Sequence, residues 1–114
     1  MKKIFPAKLK KGDEVRIVAP SRSLAIINKE TREIAQDRFE KLGLKLSFGK
    51  HIEEINEFNS SSIESRVSDL HQVFSDKNIK AVITVVGGFN SNQLLQYLDW
   101  KIIKNNPKIF CGFS

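Results

Sequence analysis

The chain has 114 residues, of which 40% are hydrophobic and 28% charged, a composition typical of one folded domain that excludes wholesale disorder. No apolar run approaches the ~20 residues that cross a bilayer, and no apolar signal segment follows the basic start, so no membrane contact is expected. Five of the six net positive charges come from lysines among the first eleven residues, and this pattern lacks the basic stripe of a nucleic-acid binder.

The first strand is predicted at residues 14–19, and Pro20 ends it because proline cannot continue a central ladder. A helix begins after Asn28, a residue type suited to the N-cap, and stops at Gly43, the usual left-handed residue after a helix. The predicted apolar face of this helix contains Ile34, Ala35, Phe39 and Leu42. Residues 44–48 alternate in part and predict the second strand.

The second helix has the clearest pattern in the chain. Its apolar residues recur with helical spacing and predict one buried stripe: Ile63, Val67, Leu70 and Phe74. Ser61 and Glu64 fit a capping box, with serine at the N-cap and glutamate three residues later. Residues 79–86 are mostly apolar and β-branched, as expected of a strand buried on both faces.

Short elements complete the chain. Residues 93–98 are predicted to be helical, and Asp99 caps a further short helix with Trp100, Ile102 and Ile103 on its inner side. Residues 108–113 then form the fourth strand. Strands that alternate with helices predict an α/β fold with a doubly wound, mostly parallel sheet in three layers, similar to flavodoxin.

The glycine segment, residues 87–90, lies where the third strand ends. Gly87 and Gly88 would allow positive φ and a close approach of substrate, so their N–H groups could hold a phosphate or an oxyanion. The same pair could equally serve the geometry of a turn alone. Asn90, Ser91 and Asn92 are expected to supply one helix cap and one or two substrate contacts. The common nucleotide-binding fingerprints are absent.

The chain ends in Gly112, Phe113 and Ser114, which is similar to the first half of a nucleophile elbow. These three residues alone also fit a serine that merely ends a strand. Because ligands bind beyond the carboxyl ends of parallel strands, Ser114, the glycine segment and Ser21 are expected to share one rim.

Partners for a serine nucleophile are scarce. The two histidines, His51 and His71, are expected in a polar connection and at a helix boundary, so neither is a credible base. The single cysteine, Cys111, has no metal-ligand partner at CxxC spacing and is predicted to be buried in the core. No metal or other cofactor is therefore expected, and the lack of an internal disulfide fits the cytoplasm.

Several spaced blocks resemble a known family. They are residues 8–21, residues 61–70, residues 87–100 with their Gly-Gly-Phe-Asn-Ser-Asn run, and residues 106–114. In this order they resemble the N-terminal part of the LD-carboxypeptidase family of serine peptidases, which includes the microcin C immunity peptidases. Asn90 is closer to the microcin-immunity branch than to the branch that trims muropeptides.

The resemblance implies specific roles. Ser114 would be the catalytic serine, Gly88 would donate an oxyanion N–H, and the substrate would contact Gly87, Phe89, Asn90 and Ser91. The family's catalytic glutamate and histidine lie in a C-terminal domain, so residues 1–114 would be a truncated N-terminal domain that bears the nucleophile. The parent enzyme would hydrolyse an amide-type bond in a small peptide-like substrate, a muropeptide or a peptidyl-nucleotide, through an acyl-serine. The 114-residue chain would be inactive by itself.

Two further expectations concern a non-catalytic function and self-association. The chain could be a non-catalytic binding or scaffold module that uses the glycine segment as an anion or carboxylate site. Because half of a two-domain protein exposes apolar surface, a homodimer or other self-association is also expected.

Overall fold

The structure is a computed structural model that describes residues 3–112. Within this range the strands are β1 (Glu14–Val18), β2 (Lys45–Phe48), β3 (Ile79–Thr84) and β4 (Ile109–Cys111). The α-helices are α1 (Lys29–Lys41), α2 (Ile63–Ser75) and α3 (Trp100–Asn105). Two 3-10 helices span Leu24–Ile26 and Ser91–Tyr97. Each predicted strand is present. The first three are shorter than predicted by one or two residues, and β4 lacks residues 108 and 112 of the predicted strand, whose residue 113 lies outside the described residues.

The strands form one parallel sheet in the order β2-β1-β3-β4. Ile17 of β1 lies opposite Phe48 of β2 on one side and opposite Ile83 of β3 on the other. The chain first steps from β1 to β2 and then crosses back to place β3 on the other side of β1. The predicted α/β fold with a parallel sheet is therefore confirmed, and the strand order is that of flavodoxin-like sheets.

Both faces of the sheet carry buried apolar side chains, because neighbouring residues of a strand point to opposite faces. The cluster between the sheet and α2 contains Val18, Leu70, Val73, Phe74, Ile79, Val82 and Leu94. The cluster on the opposite face contains Ile17, Ala19, Leu24 and Ile52. The predicted stripe of α2 is confirmed: Leu70 and Phe74 are buried, and Ile63 and Val67 pack against the same cluster.

Helix ends follow their capping residues, with one correction. The Asn28 side chain accepts a hydrogen bond from the Thr31 N–H at 2.8 Å, and the Asp99 side chain accepts from the Lys101 N–H at 3.1 Å, as predicted. The capping box is wrong: α2 begins one residue later, and its N-cap is Ser62 rather than Ser61. Either serine hydroxyl suits the cap, but Ser61 is buried and its carbonyl accepts a hydrogen bond from Arg66.

Positive φ angles among the described glycines occur at Gly12 and Gly43. The predicted left-handed residue after α1 is therefore confirmed, with φ of 79° at Gly43. Neither Gly87 nor Gly88 has a positive φ. The prediction that the glycine pair serves to allow positive φ is therefore wrong.

Several predictions of burial are also wrong. Ile34 and Leu42 of α1 are 49% and 64% exposed, because α1 packs beside β2 at the edge of the sheet. Trp100 is 53% exposed, whereas Ile102 and Ile103 pack on the core as predicted. Cys111 is exposed because β4 forms the other edge.

The helix predicted at residues 93–98 is a 3-10 helix that begins at Ser91, not an α-helix. Among the residues that the structure describes, no helix has the length and apolar character needed to span a membrane.

Candidate active site

The strand-end crevice lies beyond the carboxyl ends of β1, β3 and β4. It is a cavity of about 390 Å³ whose polar and glycine lining comprises Ser21, Thr84, Gly87, Gly88, Ser91, Asn92 and Gly112. β3 and β4 pair in parallel, so the segments that follow them leave the sheet at the same end. The structure thus brings Ser21 and the glycine segment to one rim, and Gly112 lines the same cavity. Ser114, the predicted nucleophile, lies outside the described residues.

A buried chain of hydrogen bonds joins the two central strand ends. Ser21 Oγ donates to Asn90 Oδ1 at 2.6 Å, and Asn90 Nδ2 donates to Ser60 Oγ at 2.8 Å. All three residues are at most 5% exposed. Both the oxygen and the nitrogen of the Asn90 side-chain amide therefore have hydrogen-bond partners inside the protein. It occupies the N-cap position of the 3-10 helix but makes no side-chain capping bond, so the prediction of a cap there is wrong.

Gly88 is required by a close approach. A Cβ at this position would lie 2.0 Å from Ser21 Oγ and 3.1 Å from Ser21 Cβ, distances at which atoms overlap. The backbone N–H of Gly88 donates no hydrogen bond to any of residues 3–112. The absence of a side chain thus lets the glycine segment rest on Ser21, and the Gly88 N–H has no hydrogen-bond partner among residues 3–112.

Arg66, in the first turn of α2, bonds to the backbone of two segments that border the crevice. Its Nη1 donates to the carbonyls of Pro20 at 3.0 Å and Asn90 at 3.3 Å, and its Nη2 donates to Gln93 Oε1 at 3.1 Å. The residue is 4% exposed, and no carboxylate among the described residues forms an ion pair with it. Burial lowers the pKa of the guanidinium, but an arginine remains charged in proteins.

Arg66 is a residue of the site's framework that the sequence analysis did not predict, although a signal was present. It lies three residues after Ile63 and four before Leu70, on the apolar stripe that predicted the buried face of α2. A charged residue on such a stripe must find internal partners. Ser60 and Arg22, which also contact the crevice residues, had no comparable signal because they lie in irregular segments.

The other predicted site residues differ in accessibility. Phe89 is 76% exposed and lines a separate cavity of about 440 Å³ together with Phe58, Asn90 and Arg66. Ser91 is exposed and lines the strand-end crevice. The Gly87 carbonyl accepts a hydrogen bond from Arg22 Nε at 2.8 Å. Thr84 Oγ1 is buried beside Gly112 and has no hydrogen-bond partner among residues 3–112.

Neither histidine lines the strand-end crevice. His51 Nδ1 pairs with the Glu54 carboxylate, and His71 Nε2 accepts the Asp99 N–H at 2.8 Å. The His51 backbone N–H donates to Asp69 Oδ2 at 3.0 Å, and burial raises the pKa of this carboxyl group. The described part of the chain contains no cluster of three or more histidine, cysteine or acidic residues that could hold a metal ion.

A parallel sheet with a glycine-lined crevice at the reversal of its strand order is the architecture of doubly wound α/β domains, in which ligands typically bind beyond the carboxyl ends of the strands. A family model described as the LD-carboxypeptidase N-terminal domain matches residues 15–114. The chain belongs to this LD-carboxypeptidase family.

Individual relatives are longer than this chain. It is 53% identical over 111 residues to YocD of Bacillus subtilis, covering 97% of this chain and 34% of YocD. It is 31% identical over 101 residues to the murein tetrapeptide carboxypeptidase of Pseudomonas aeruginosa, covering 88% of this chain and 32% of the relative. The chain thus spans about a third of the length of these curated relatives.

Solved structures share the fold. The MccF-like protein from Bacillus anthracis superimposes with a TM-score of 0.97 at 54% identity, over 98% of this chain and 34% of that one. The microcin C7 self-immunity protein MccF of Escherichia coli, in complex with aspartyl sulfamoyl adenosine, gives a TM-score of 0.85 at 29% identity, over 98% and 33%.

Proposed function

We propose that this chain supplies the nucleophile and an oxyanion donor to a serine peptidase of the carboxypeptidase type. The observation that carries the proposal is the meeting of three strand ends at one crevice. Gly112, two residues before Ser114, lines the same cavity as Gly88, whose N–H donates no hydrogen bond within the described residues. The proposal requires Ser114 at this cavity, and two residues of extended chain cover at most about 7 Å.

In the proposed reaction the Ser114 hydroxyl attacks the carbonyl carbon of an amide-type bond. The carbonyl oxygen becomes negative and accepts a hydrogen bond from the Gly88 N–H, and the amine of the last residue leaves with a proton from a general acid. The resulting acyl-serine is then hydrolysed by water. Gly87 and Ser91 line the same cavity and would contact the substrate, and Phe89 would contact it from the neighbouring cavity that it lines. Asn90 would act by fixing the backbone of the segment.

The 114-residue chain should not turn over by itself. A serine nucleophile requires a base, and both histidines make their hydrogen bonds away from the strand-end crevice. We propose that a glutamate and a histidine from the remaining two thirds of a full-length relative complete the site. Removing such a base lowers the rate of serine hydrolases by several orders of magnitude.

The proposed substrate is a small peptide-like molecule with an amide-type bond near its end. The names of two relatives suggest the candidates, a murein tetrapeptide and an aminoacyl sulfamoyl nucleoside. The crevice volume of about 390 Å³ suits a ligand of a few residues rather than a protein.

A chimaera tests the proposal. This chain replaces the matching third of YocD, and the release of the terminal amino acid from murein tetrapeptide and the cleavage of aspartyl sulfamoyl adenosine are measured. We expect hydrolysis of one of them and a loss of at least ~10³-fold in kcat with Ser114→Ala. Equal activity of the Ser114→Ala chimaera would refute the serine mechanism. Binding without turnover would favour a binding module, and turnover by the 114-residue chain would refute its inactivity.

A further inference from the structure

A basic surface covers the end of the sheet opposite the strand-end crevice. There a cavity of about 340 Å³ lies between the N-terminal segment and the residues at the amino ends of β3 and β4. Among the described residues, its lining contains one carboxylate, that of Asp13, and five lysines: Lys8, Lys10, Lys77, Lys80 and Lys108. Because the strands run in parallel, their amino ends lie at one end of the sheet and the crevice lies at the other.

Ion pairs do not neutralise these lysines. None of the five forms one with a carboxylate of residues 3–112. The Asp13 carboxylate is turned inward and accepts the backbone N–H of Lys10 at 2.9 Å. Burial is the main cause that lowers the pKa of the Lys108 amine, Asp76 raises it, and the positive charge of Lys80 lowers it again. Like charges therefore lie close together and make the local potential positive.

Two large apolar side chains stand beside the lysines. Ile4 is 61% exposed and Phe5 is 82% exposed. The next two residues, Pro6 and Ala7, line the cavity, so the pair lies within about 7 Å of its wall. Covering such side chains with another apolar phase is favourable. We call the cavity, together with Ile4 and Phe5, the basal surface.

Several kinds of partner carry the phosphate groups that lysines bind, and the apolar pair distinguishes them. A free phosphate would enter the cavity without covering Ile4 or Phe5. A nucleic acid presents phosphates along its backbone but no apolar phase for an aliphatic side chain such as that of Ile4. A membrane of anionic lipids has both, because its phosphate headgroups lie directly above hydrocarbon. The composition of the basal surface therefore favours a lipid surface.

We propose that the basal surface binds an anionic membrane surface. The lysines contact headgroup phosphates, and Ile4 and Phe5 insert at the boundary of the acyl chains. This contact is peripheral and requires no helix that spans the membrane, a feature that the described helices lack. The strand-end crevice then faces away from the lipid and stays open to its substrate. No step of the proposed hydrolysis uses this surface, so the two proposals are tested separately.

Co-sedimentation of the 114-residue chain with vesicles tests the inference. One set of vesicles is phosphatidylcholine alone, and the other contains phosphatidylcholine and phosphatidylglycerol in about equal amounts. We expect the anionic vesicles to bind the chain more tightly by about tenfold or more. Added salt should weaken this binding, because it screens the charges of the lysines.

Matched variants test the charged part of the surface. Lys8→Gln with Lys77→Gln removes two charges from the cavity and should weaken binding to the anionic vesicles by about tenfold or more. Lys29→Gln with Lys50→Gln removes the same charge from exposed residues at the start of α1 and after β2. This control should retain the full affinity, because both residues lie near the carboxyl ends of the strands.

A second pair tests the apolar part. Phe5→Ser should weaken binding by about tenfold or more, whereas Phe58→Ser should leave it unchanged. Phe58 is also exposed, but it lines a cavity with Phe89 beyond the other end of the sheet. Phe5→Trp in a Trp100→Phe background carries the only tryptophan of the chain. Its fluorescence should shift to the blue on anionic vesicles and be quenched by lipids with brominated acyl chains.

Other outcomes would overturn the inference. They are equal binding to the two kinds of vesicle, binding to neither, or equal losses within either matched pair. Tighter binding to polyuridylate than to vesicles would assign the surface to RNA, and displacement by inorganic phosphate at constant ionic strength would assign it to free phosphate. A YocD chimaera that binds no vesicles would show that the rest of a full-length relative covers the surface. Urea midpoints check folding, and Phe5→Trp decides the matter if Phe5→Ser is unfolded.

Discussion

Ser21 Oγ donates a 2.6 Å hydrogen bond to Asn90 Oδ1, although 69 residues separate the two in sequence. This bond ties the end of β1 to the segment that follows β3, on either side of the point where the strand order reverses. Asn90 continues the connection to Ser60. The rim of the crevice is thus held by side chains that are buried in the protein, which fixes the backbone of the glycine segment.

Removing the amide at the centre of this connection should destabilise the fold. Asn90→Ala leaves the hydroxyls of Ser21 and Ser60 buried without that partner, and we expect a loss of about 2–3 kcal/mol in the free energy of unfolding. Asn92→Ala, at an exposed neighbour, should change it by no more than about 0.5 kcal/mol. Urea denaturation measures both values. A similar loss in the two variants would contradict a specific role for Asn90.

A methyl group at Gly88 should collide with Ser21. The 2.0 Å contact predicts that Gly88→Ala costs about 1–3 kcal/mol of stability. In a Ser21→Gly background the obstacle is gone, so the added methyl should cost almost nothing. Gly112→Ala is the matched control, since its Cβ would meet its nearest atoms at 3.6 Å, an ordinary contact. Additive losses in the double variant would rule out the clash as the cause.

The buried guanidinium of Arg66 should be hard to replace. Arg66→Met leaves the carbonyls of Pro20 and Asn90 without this donor, and we expect a loss of about 3 kcal/mol or more. Arg66→Lys should recover a minor part, because one ammonium cannot point in all the directions of the fork. Arg38→Met, on the exposed side of α1, serves as the control. Thermal and urea unfolding would contradict this account if Arg66→Met were as stable as the unchanged protein.

Asp69 should make the stability depend on pH. Burial is the main cause that raises the pKa of its carboxyl group, against the opposing hydrogen bond from the His51 N–H. The folded state therefore holds this proton more tightly than the unfolded state does. The stability contributed by the protonated form is fully present below about pH 4 and is lost as the pH rises through the folded pKa.

The variant Asp69→Asn keeps an oxygen for the His51 N–H and cannot titrate. As the pH rises through this window, the free energy of unfolding of the unchanged protein should therefore fall relative to that of Asp69→Asn. Urea titrations at several pH values, with carbon NMR of the carboxyl group, give both quantities. A midpoint for Asp69 at or below that of an ordinary aspartate would contradict the prediction.

Self-association should involve the groove between α1 and the sheet. This cavity of about 300 Å³ has mostly apolar walls, and Phe48 on the edge strand β2 is 45% exposed there. We expect Phe48→Lys to weaken association at least tenfold, about 1.4 kcal/mol, and Phe58→Lys, which lies outside the groove, to leave it unchanged. Sedimentation velocity at increasing concentration measures this. A clean monomer at high concentration would exclude the predicted self-association.

Local sequence patterns were sufficient to predict the strands and the two long helices. Apolar or partly alternating runs predicted the strands, the spacing of Leu70 and Phe74 predicted the buried face of α2, and Asn28 and Gly43 predicted the ends of α1. Each of these depends on residues within a few positions of one another, because periodicity and capping are local properties. The α/β class and the end of the sheet that carries the crevice follow from the order of these elements.

Tertiary structure decided the details of the site. No local rule pairs Ser21 with Asn90 or places Arg66 against the carbonyl of Pro20, because these contacts join residues that are distant in sequence. The same holds for Gly88. This position requires glycine because a Cβ would overlap the Ser21 hydroxyl, and not because its φ is positive. It holds also for Cys111, which is exposed because its strand lies at an edge. Whether an apolar or polar residue is buried depends on its neighbours in space, and a sequence pattern records its neighbours along the chain.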